Sequence, residues 1–270
     1  MEKIMSVDDF YYGLDKMFAQ HDNEKTEKYM LDALEQAKGD VNMSLIIAIS
    51  NELGGFYRAK GDVEKAKLLN DSVLAALKEI GQENSMNYAV ALINAGNAHN
   101  SAREYDKALP MYKQAEALLE ALGQGRDYQM AALCNNMSAA YREREDFEEA
   151  EKMARKSIII ISSIQGKRLE LATSLINLGE VQTRLKKFDE AEETLKTAVA
   201  IYEVEAGGVD IHYAAAMAAL GALYYYRRDF DASIEAYQKT LKLIERDFGH
   251  TPYYEMIQKN LKQVEEERPN

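Results

Sequence analysis

The fold is decided by the stretch AALCNNMSAAYREREDFEEAEKMARKSIIIISSIQG, residues 131–166. Apolar residues recur at helical spacing from Leu133 to Tyr141, and the polar run REREDF then makes a short turn. A second apolar face begins at Phe147 and continues almost to Gly166, where glycine is typical of the position just past a helix C-terminus. The segment is therefore a helix–turn–helix hairpin.

The hairpin recurs along the chain with a nearly constant period of 41 or 42 residues. One small residue marks the first helix of each copy, and a second marks the second helix. These two columns are Gly54, Gly96, Ser138, Gly179 and Gly221, and Ala66, Ala108, Ala150, Ala191 and Ser233. A single hairpin cannot bury its own apolar face, so the copies must stack into a repeat array. Such an array offers a long surface to a partner.

The first helices of the copies carry the motif that identifies a family. They read NELGGFY (51–57), INAGNAH (93–99), NNMSAAY (135–141), INLGEVQ (176–182) and AALGALY (218–224). The pattern resembles the tetratricopeptide repeat (TPR), in the 42-residue form of kinesin light chains. The resemblance implies an all-α fold, an α-solenoid of antiparallel helix hairpins in a right-handed superhelix. We expect about six repeats plus a C-terminal capping helix, which makes thirteen helices and no strands.

The register also predicts the domain organisation. We interpret residues 1–270 as a single array in which residues 1–40 form a divergent N-terminal repeat and residues 41–249 form five regular repeats. Residues 250–270 then form a capping helix and tail, because an amphipathic helix there has no partner helix after it. Terminal units of solenoids need a polar outer face, and this charged segment suits that role.

Composition limits the classes of partner. The formal net charge is -12, from 33 basic and 45 acidic residues, which disfavours nucleic-acid binding because that depends on clustered lysine and arginine. No apolar run approaches the length of a membrane span, and the first residues, MEKIMSVDDFYYG, do not read as a secretory signal. The single cysteine, Cys134, fits a reducing compartment. We expect a cytoplasmic protein that does not bind membranes.

The sequence contains no recognisable constellation for chemistry. Its 15 glycines all fall at helix crossings, turns or repeat ends, so none is left for a phosphate-binding loop. The four histidines lie in different repeats and no second cysteine accompanies Cys134, so metal-ligand spacing is missing. The sequence therefore predicts a non-enzymatic protein with no cofactor and no bound metal.

One column of asparagines has no explanation in helix stability. Asn94, Asn136 and Asn177 share a register, Asn51 stands one residue earlier in its copy, and Asn97 adds a further turn. Asparagine is a mediocre helix former, whereas its carboxamide can bind any peptide group through a donor and an acceptor. In TPR arrays the first helix of each hairpin lines the concave groove, so the resemblance implies that these residues contact a bound segment. The alternative is that they bond to adjacent helices and stiffen the array.

Three further residues extend this predicted groove. Arg142 and Arg184 follow the asparagine column by about two helical turns and would meet an acidic group or a C-terminal carboxylate. Favourable placement at a helix C-terminus explains them equally well without a ligand. Tyr225 belongs to the fifth copy, where alanines replace the asparagines. That end should be more apolar and accept an aromatic or aliphatic anchor, unless its tyrosines pack into the core.

These observations favour a non-enzymatic scaffold that binds a protein or peptide segment, in extended form, along its concave groove. Two alternatives stay open at this point. The chain could be a peptide-sensing regulatory protein, or a structural array that self-associates as a homo-oligomer.

Overall fold

The computed structural model describes residues 5–208 and 210–269. These residues form thirteen α-helices and no strand, which confirms the predicted all-α hairpin architecture. The first six helices are α1 (Val7–Phe18), α2 (Asn23–Gly39), α3 (Met43–Ala59), α4 (Val63–Glu79), α5 (Met86–Ser101) and α6 (Tyr105–Ala121). The others are α7 (Tyr128–Glu143), α8 (Phe147–Ile161), α9 (Arg168–Arg184), α10 (Phe188–Glu205), α11 (Ile211–Arg227), α12 (Phe230–Phe248) and α13 (Pro252–Glu267).

The helices group into two compact units, Met1–Gly125 and Arg126–Asn270, called unit 1 and unit 2 below. Unit 1 contains the hairpins α1–α2, α3–α4 and α5–α6, and unit 2 contains α7–α8, α9–α10 and α11–α12 with α13 packed on α12. In each unit every odd-numbered helix of a hairpin also contacts the next odd-numbered helix. The odd-numbered helices therefore form one continuous layer within each unit.

The glycine column marks the places where the two helices of a hairpin cross. A Cβ atom added to Gly96 would lie 2.5 Å from a ring carbon of Tyr112, and one added to Gly179 would lie 2.5 Å from Cγ of Leu195. Where the column has serine instead, the hydroxyl of Ser138 donates to the carbonyl of Ala150 at 2.9 Å. Small residues at these positions let the two helices pack closely enough to exclude water.

The turn inside each hairpin contains one residue with a left-handed backbone. Its φ angle lies between +52° and +80°, and only one of the six positions is glycine. The positions are His21, Gly61, Arg103, Glu145, Lys186 and Arg228. Left-handed backbone costs an ordinary residue about 1–2 kcal/mol because its Cβ approaches the following carbonyl. The sequence shows no sign of this column, because the packing of the two helices imposes it.

The two ends of the chain are stabilised by different contacts. In unit 1, Phe10 and Leu14 of α1 and Met30 of α2 are buried in one apolar cluster that continues into α3, so the divergent first hairpin shares its core with the next one. In unit 2, Ile257 and Val264 of α13 are buried in the last apolar cluster. The rest of α13 is largely exposed and charged.

Ion pairs link consecutive hairpins in unit 2. The carboxylate of Glu192 on α10 accepts from Lys196 at 2.7 Å, from Arg227 of α11 at 2.7 Å and from the hydroxyl of Tyr224 at 3.0 Å. These hydrogen bonds, that from Lys196 foremost, lower the pKa of Glu192 to about 2. The contact fixes the end of α11 against α10.

Candidate functional site

The candidate site residues lie on the odd-numbered helices of the two units. Unit 1 contains Asn51 on α3 with Asn94 and Asn97 on α5. Unit 2 contains the others, which are Asn136 and Arg142 on α7, Asn177 and Arg184 on α9, and Tyr225 on α11. The predicted binding residues therefore share the odd-helix layer of each unit.

In unit 1 the asparagines form hydrogen bonds within the protein. Asn94 donates from Nδ2 to Oδ1 of Asn51 at 3.2 Å, joining α5 to α3. Asn97 accepts at Oδ1 from the hydroxyl of Tyr112 at 2.8 Å, joining α5 to α6. Asn51 and Asn94 keep unused donor and acceptor atoms, since each carboxamide offers up to four hydrogen-bonding positions. Asn97 has a structural bond in addition to any contact with a ligand.

In unit 2, Asn177 is half-buried and makes no hydrogen bond to any residue that the structure describes. Asn136, one helix earlier, is also half-buried. Its neighbour Asn135 donates to the hydroxyl of Ser174 at 2.9 Å and so connects α7 to α9. This layer therefore contains both a structural carboxamide, at Asn135, and an unused one, at Asn177.

The two arginines are held in different ways. Arg142 pairs with Glu180 on α9 and with Glu143. The guanidinium of Arg184 lies 4.8 Å from the ring centre of Phe147 and 5.8 Å from that of Tyr226. Its carboxylate partner is the highly exposed Glu145 at 3.4 Å. Contacts with ring faces leave the N–H groups of a guanidinium able to pair with carboxylates, and Glu145 is one such carboxylate.

Tyr225 is tied to the capping helix. Its hydroxyl donates to Glu267 at 2.8 Å and accepts from Gln263 at 3.1 Å, and the bond to Glu267 raises the pKa of Tyr225. Nearby, a cavity of about 390 Å³ separates α11 from α13. Its floor consists of small residues of α11, namely Ala215, Ala218, Ala219 and Ala222, and its wall on α13 includes Tyr253 and Met256. No pattern in the sequence predicts that α13 forms this wall.

The residues usually associated with catalysis have structural partners. Nδ1 of His99 lies 2.6 Å from a carboxylate oxygen of Glu104, and that contact is the main cause of the low pKa of Glu104, about 2. Cys134 is fully buried. Over residues 5–208 and 210–269, no group of three or more histidine, cysteine or acidic side chains is arranged to hold a metal ion. Within the same ranges, no helix combines the length and apolar character needed to cross a bilayer.

Solved structures share this architecture. BtubC (BKLC) from P. vanneervenii is 23% identical over 74% of this chain and 81% of that one, with a TM-score of 0.66. Nearly identical TPR-like repeats of a Podosopora anserina kinesin light chain are 16% identical over 73% and 93%, with a TM-score of 0.62. NprR in complex with its cognate peptide NprX is 14% identical over 100% and 77%, with a TM-score of 0.70. At these identities the likeness shows a common fold.

Sequence comparison identifies the family directly. A search of curated proteins gives no match. Models of the tetratricopeptide repeat, however, match residues 45–121, 128–203 and 214–251, well over half of the sequence. Their boundaries follow the hairpins from α3 to α12. The chain therefore belongs to the tetratricopeptide repeat family.

Proposed function

We propose that the odd-helix layer binds an extended segment of another protein, without catalysing a reaction. The observation that carries the proposal is Asn177, a half-buried carboxamide on α9 that has no partner in the described residues. Nothing in helix propensity favours asparagine there, and a carboxamide can pair with a peptide group whatever side chain that residue has.

The dimensions of the layer support an extended ligand. Packed helices lie about 8–10 Å apart, and an extended chain advances about 3.3 Å per residue. One carboxamide on each odd-numbered helix would then meet about every third peptide unit of the ligand. In unit 2 these carboxamides are Asn136 and Asn177, and Arg142 and Arg184 would pair with an acidic group of the same segment.

The comparisons support a peptide-sized ligand. NprR, whose fold this chain shares, was solved with its cognate peptide. The cytoplasmic location and the exclusion of nucleic acid stay predictions.

Two alternatives predict different behaviour. A peptide-sensing regulator would bind a short free peptide, whereas a self-associating array would form oligomers. Light scattering on the purified chain separates the second alternative from the other two.

The proposal is tested with a single carboxamide. Immobilised protein captures partners from the source cells, overlapping peptides from each partner locate the bound segment, and fluorescence anisotropy then measures its affinity. We expect Asn177→Ala to weaken binding about two- to tenfold, the loss of one hydrogen bond worth about 0.5–1.5 kcal/mol. Asn84→Ala is the matched control, because Asn84 is exposed between α4 and α5, outside the layer.

The double variant Asn136→Ala, Asn177→Ala should weaken binding further while its circular dichroism stays that of the parent. Equal affinity of the parent and this double variant for the mapped segment would refute the proposed role of the asparagines. Turnover of a substrate that is lost in the same variant would refute the proposal that the surface only binds.

A further inference from the structure

Unit 1 contains a cavity of about 580 Å³ on its odd-helix layer. It lies between the first halves of α1, α3 and α5, with the end of α4 beneath it. Ile47 and Leu77 are buried in its floor, whereas Tyr11 and Ile80 form an apolar rim that is 39% and 47% exposed. Exposed large apolar side chains around a concavity are typical of binding sites.

The lining of this cavity is uncharged. Charged side chains make up 29% of the chain, yet none of the described residues that line the cavity has one. Burial and, after it, the charge of Glu52 raise the pKa of the Tyr11 hydroxyl at the rim. A charged ligand group would lose water here without gaining an opposite charge, which is costly. The lining therefore favours an uncharged group.

One carboxamide has a defined orientation at this cavity. Asn51 lines it, and Oδ1 of Asn51 accepts from Nδ2 of Asn94 on α5 at 3.2 Å. Because the oxygen is bonded to Asn94, the Nδ2 group of Asn51 is the part left to donate. Asn51 is thus prepared to donate to a carbonyl oxygen, and Asn94 holds it in that orientation.

We propose that this cavity, on the odd-helix layer of unit 1, binds one uncharged apolar side chain of an extended protein segment. Asn51 donates from Nδ2 to the carbonyl of that same residue, and Asn94 is a positioning residue that orients Asn51. This inference rests on the proposed function and adds the chemistry of one ligand residue to it.

N-acetyl-leucinamide is the probe, because it combines an apolar side chain, two amide carbonyls and no charge. The full chain is labelled with 13C at its methionine methyl groups, and Met43, which lines the cavity, is assigned with Met43→Leu. For a ligand this small we expect a Kd in the millimolar range, about −0.3 kcal/mol per heavy atom. The Met43 resonance should shift saturably as the probe is added.

Three analogues test the stated chemistry. N-acetyl-glycinamide lacks the side chain and should bind about tenfold or more weakly, since burying a leucine side chain is worth about 1.5–3 kcal/mol. Leucinamide is a cation and N-acetyl-leucine an anion, and each should bind at least about fivefold more weakly than the neutral probe because its charge is desolvated.

Matched variants locate the site and the donor. Ala48 lines the cavity, so Ala48→Leu should abolish the Met43 shift, while Ala75→Leu on the exposed face of α4 should leave it unchanged. Asn51→Asp still offers an oxygen to Asn94 but presents an acceptor to the ligand. This variant should therefore reverse the charge preference and bind leucinamide more tightly than N-acetyl-leucinamide. In Asn94→Asp, residue 94 can no longer donate to Asn51, so the Asn51 carboxamide should rotate to donate to it instead. Binding of the neutral probe should then be weaker than in the parent.

Absence of a Met43 shift at about 50 mM probe, well above the expected Kd, would overturn the inference. So would equal affinity for the glycine analogue or for either charged analogue, or an unchanged preference in Asn51→Asp. This failure is distinguishable from failure of the proposed function, because that proposal depends on Asn177 and on a protein partner. If Asn177→Ala weakens binding of the protein partner while the Met43 resonance does not shift with the probe, only the apolar pocket is refuted.

Discussion

Two glycines in the interiors of neighbouring helices should respond to the same substitution with opposite signs. Gly55 on α3 has no atom within 4 Å of the place where a Cβ would be, apart from the adjacent residues and backbone of its own helix, whereas at Gly96 on α5 that Cβ would lie 2.5 and 2.7 Å from two ring carbons of Tyr112. Both glycines belong to unit 1, so Gly55→Ala is the matched control for Gly96→Ala.

The magnitudes follow from these surroundings. Alanine is favoured over glycine in a helix interior by about 0.5–1 kcal/mol, which is all that Gly55→Ala should change. In Gly96→Ala the added methyl group must displace Tyr112, which is fully buried and donates to Asn97 at 2.8 Å. Overpacking costs about 1–3 kcal/mol and a lost hydrogen bond about 0.5–1.5 kcal/mol. After the helix-propensity gain is subtracted, we expect a net destabilisation of about 0.5–4 kcal/mol.

Urea unfolding followed by circular dichroism measures both effects. Gly55→Ala should raise the midpoint of the transition that reports unit 1, and Gly96→Ala should lower it. The m-value should stay constant, because neither change alters the surface exposed on unfolding. If Gly96→Ala were as stable as the parent, Gly96 would not mark a close crossing of α5 and α6, and the interpretation of the whole glycine column would be wrong.

Three further predictions concern packing, backbone strain and pH. Ala150→Leu should destabilise the protein by about 1–3 kcal/mol because it overpacks a fully buried site, while Ala200→Leu on the exposed face of α10 should change the urea midpoint little. Lys186→Gly should stabilise the protein by about 0.5 kcal/mol, because Lys186 is exposed and has a φ angle of +60°. The relief of about 1–2 kcal/mol of backbone strain exceeds the entropy cost of glycine. A urea midpoint that is unchanged or lower than that of the parent would contradict the strain. The pKa of Glu192 falls from 4.5 to about 2 on folding, so its contribution to stability is present above about pH 4.5 and is lost as the pH falls towards 2. Glu192→Gln should therefore unfold more easily than the parent at pH 7, and this difference in urea midpoint should narrow towards pH 2.5.

The hairpins and their crossings could be predicted from sequence because they depend on residue size at a fixed period. A Cβ placed at Gly96 or Gly179 meets the facing helix, and glycine at such sites is visible in the sequence alone. The left-handed backbone at Lys186 could not be predicted, because no residue preference marks it. Its conformation is imposed by the two helices that it joins.

The candidate site was predictable only as a helix face. The asparagine register places the carboxamides on the odd-numbered helices, but it does not show which of them already have partners. Asn94 bonds to Asn51, whereas Asn177 makes no bond that the structure describes. Such differences depend on how side chains that are about 40 residues apart in sequence are oriented towards each other. The cavity in unit 1 could not be predicted from the repeat register either, because Tyr11 at its rim comes from the divergent first repeat.

The burial of Cys134 makes the protein a reporter of its own local opening. The chain has one cysteine and no tryptophan, and that cysteine is fully buried on α7 of unit 2. A thiol reagent can reach the sulfur only while α7 is separated from its neighbours. If that opening costs about 5 kcal/mol, labelling should be slower than for a free thiol by about three to four orders of magnitude. Labelling rates would thus give the free energy of opening around α7 under native conditions, without an engineered probe.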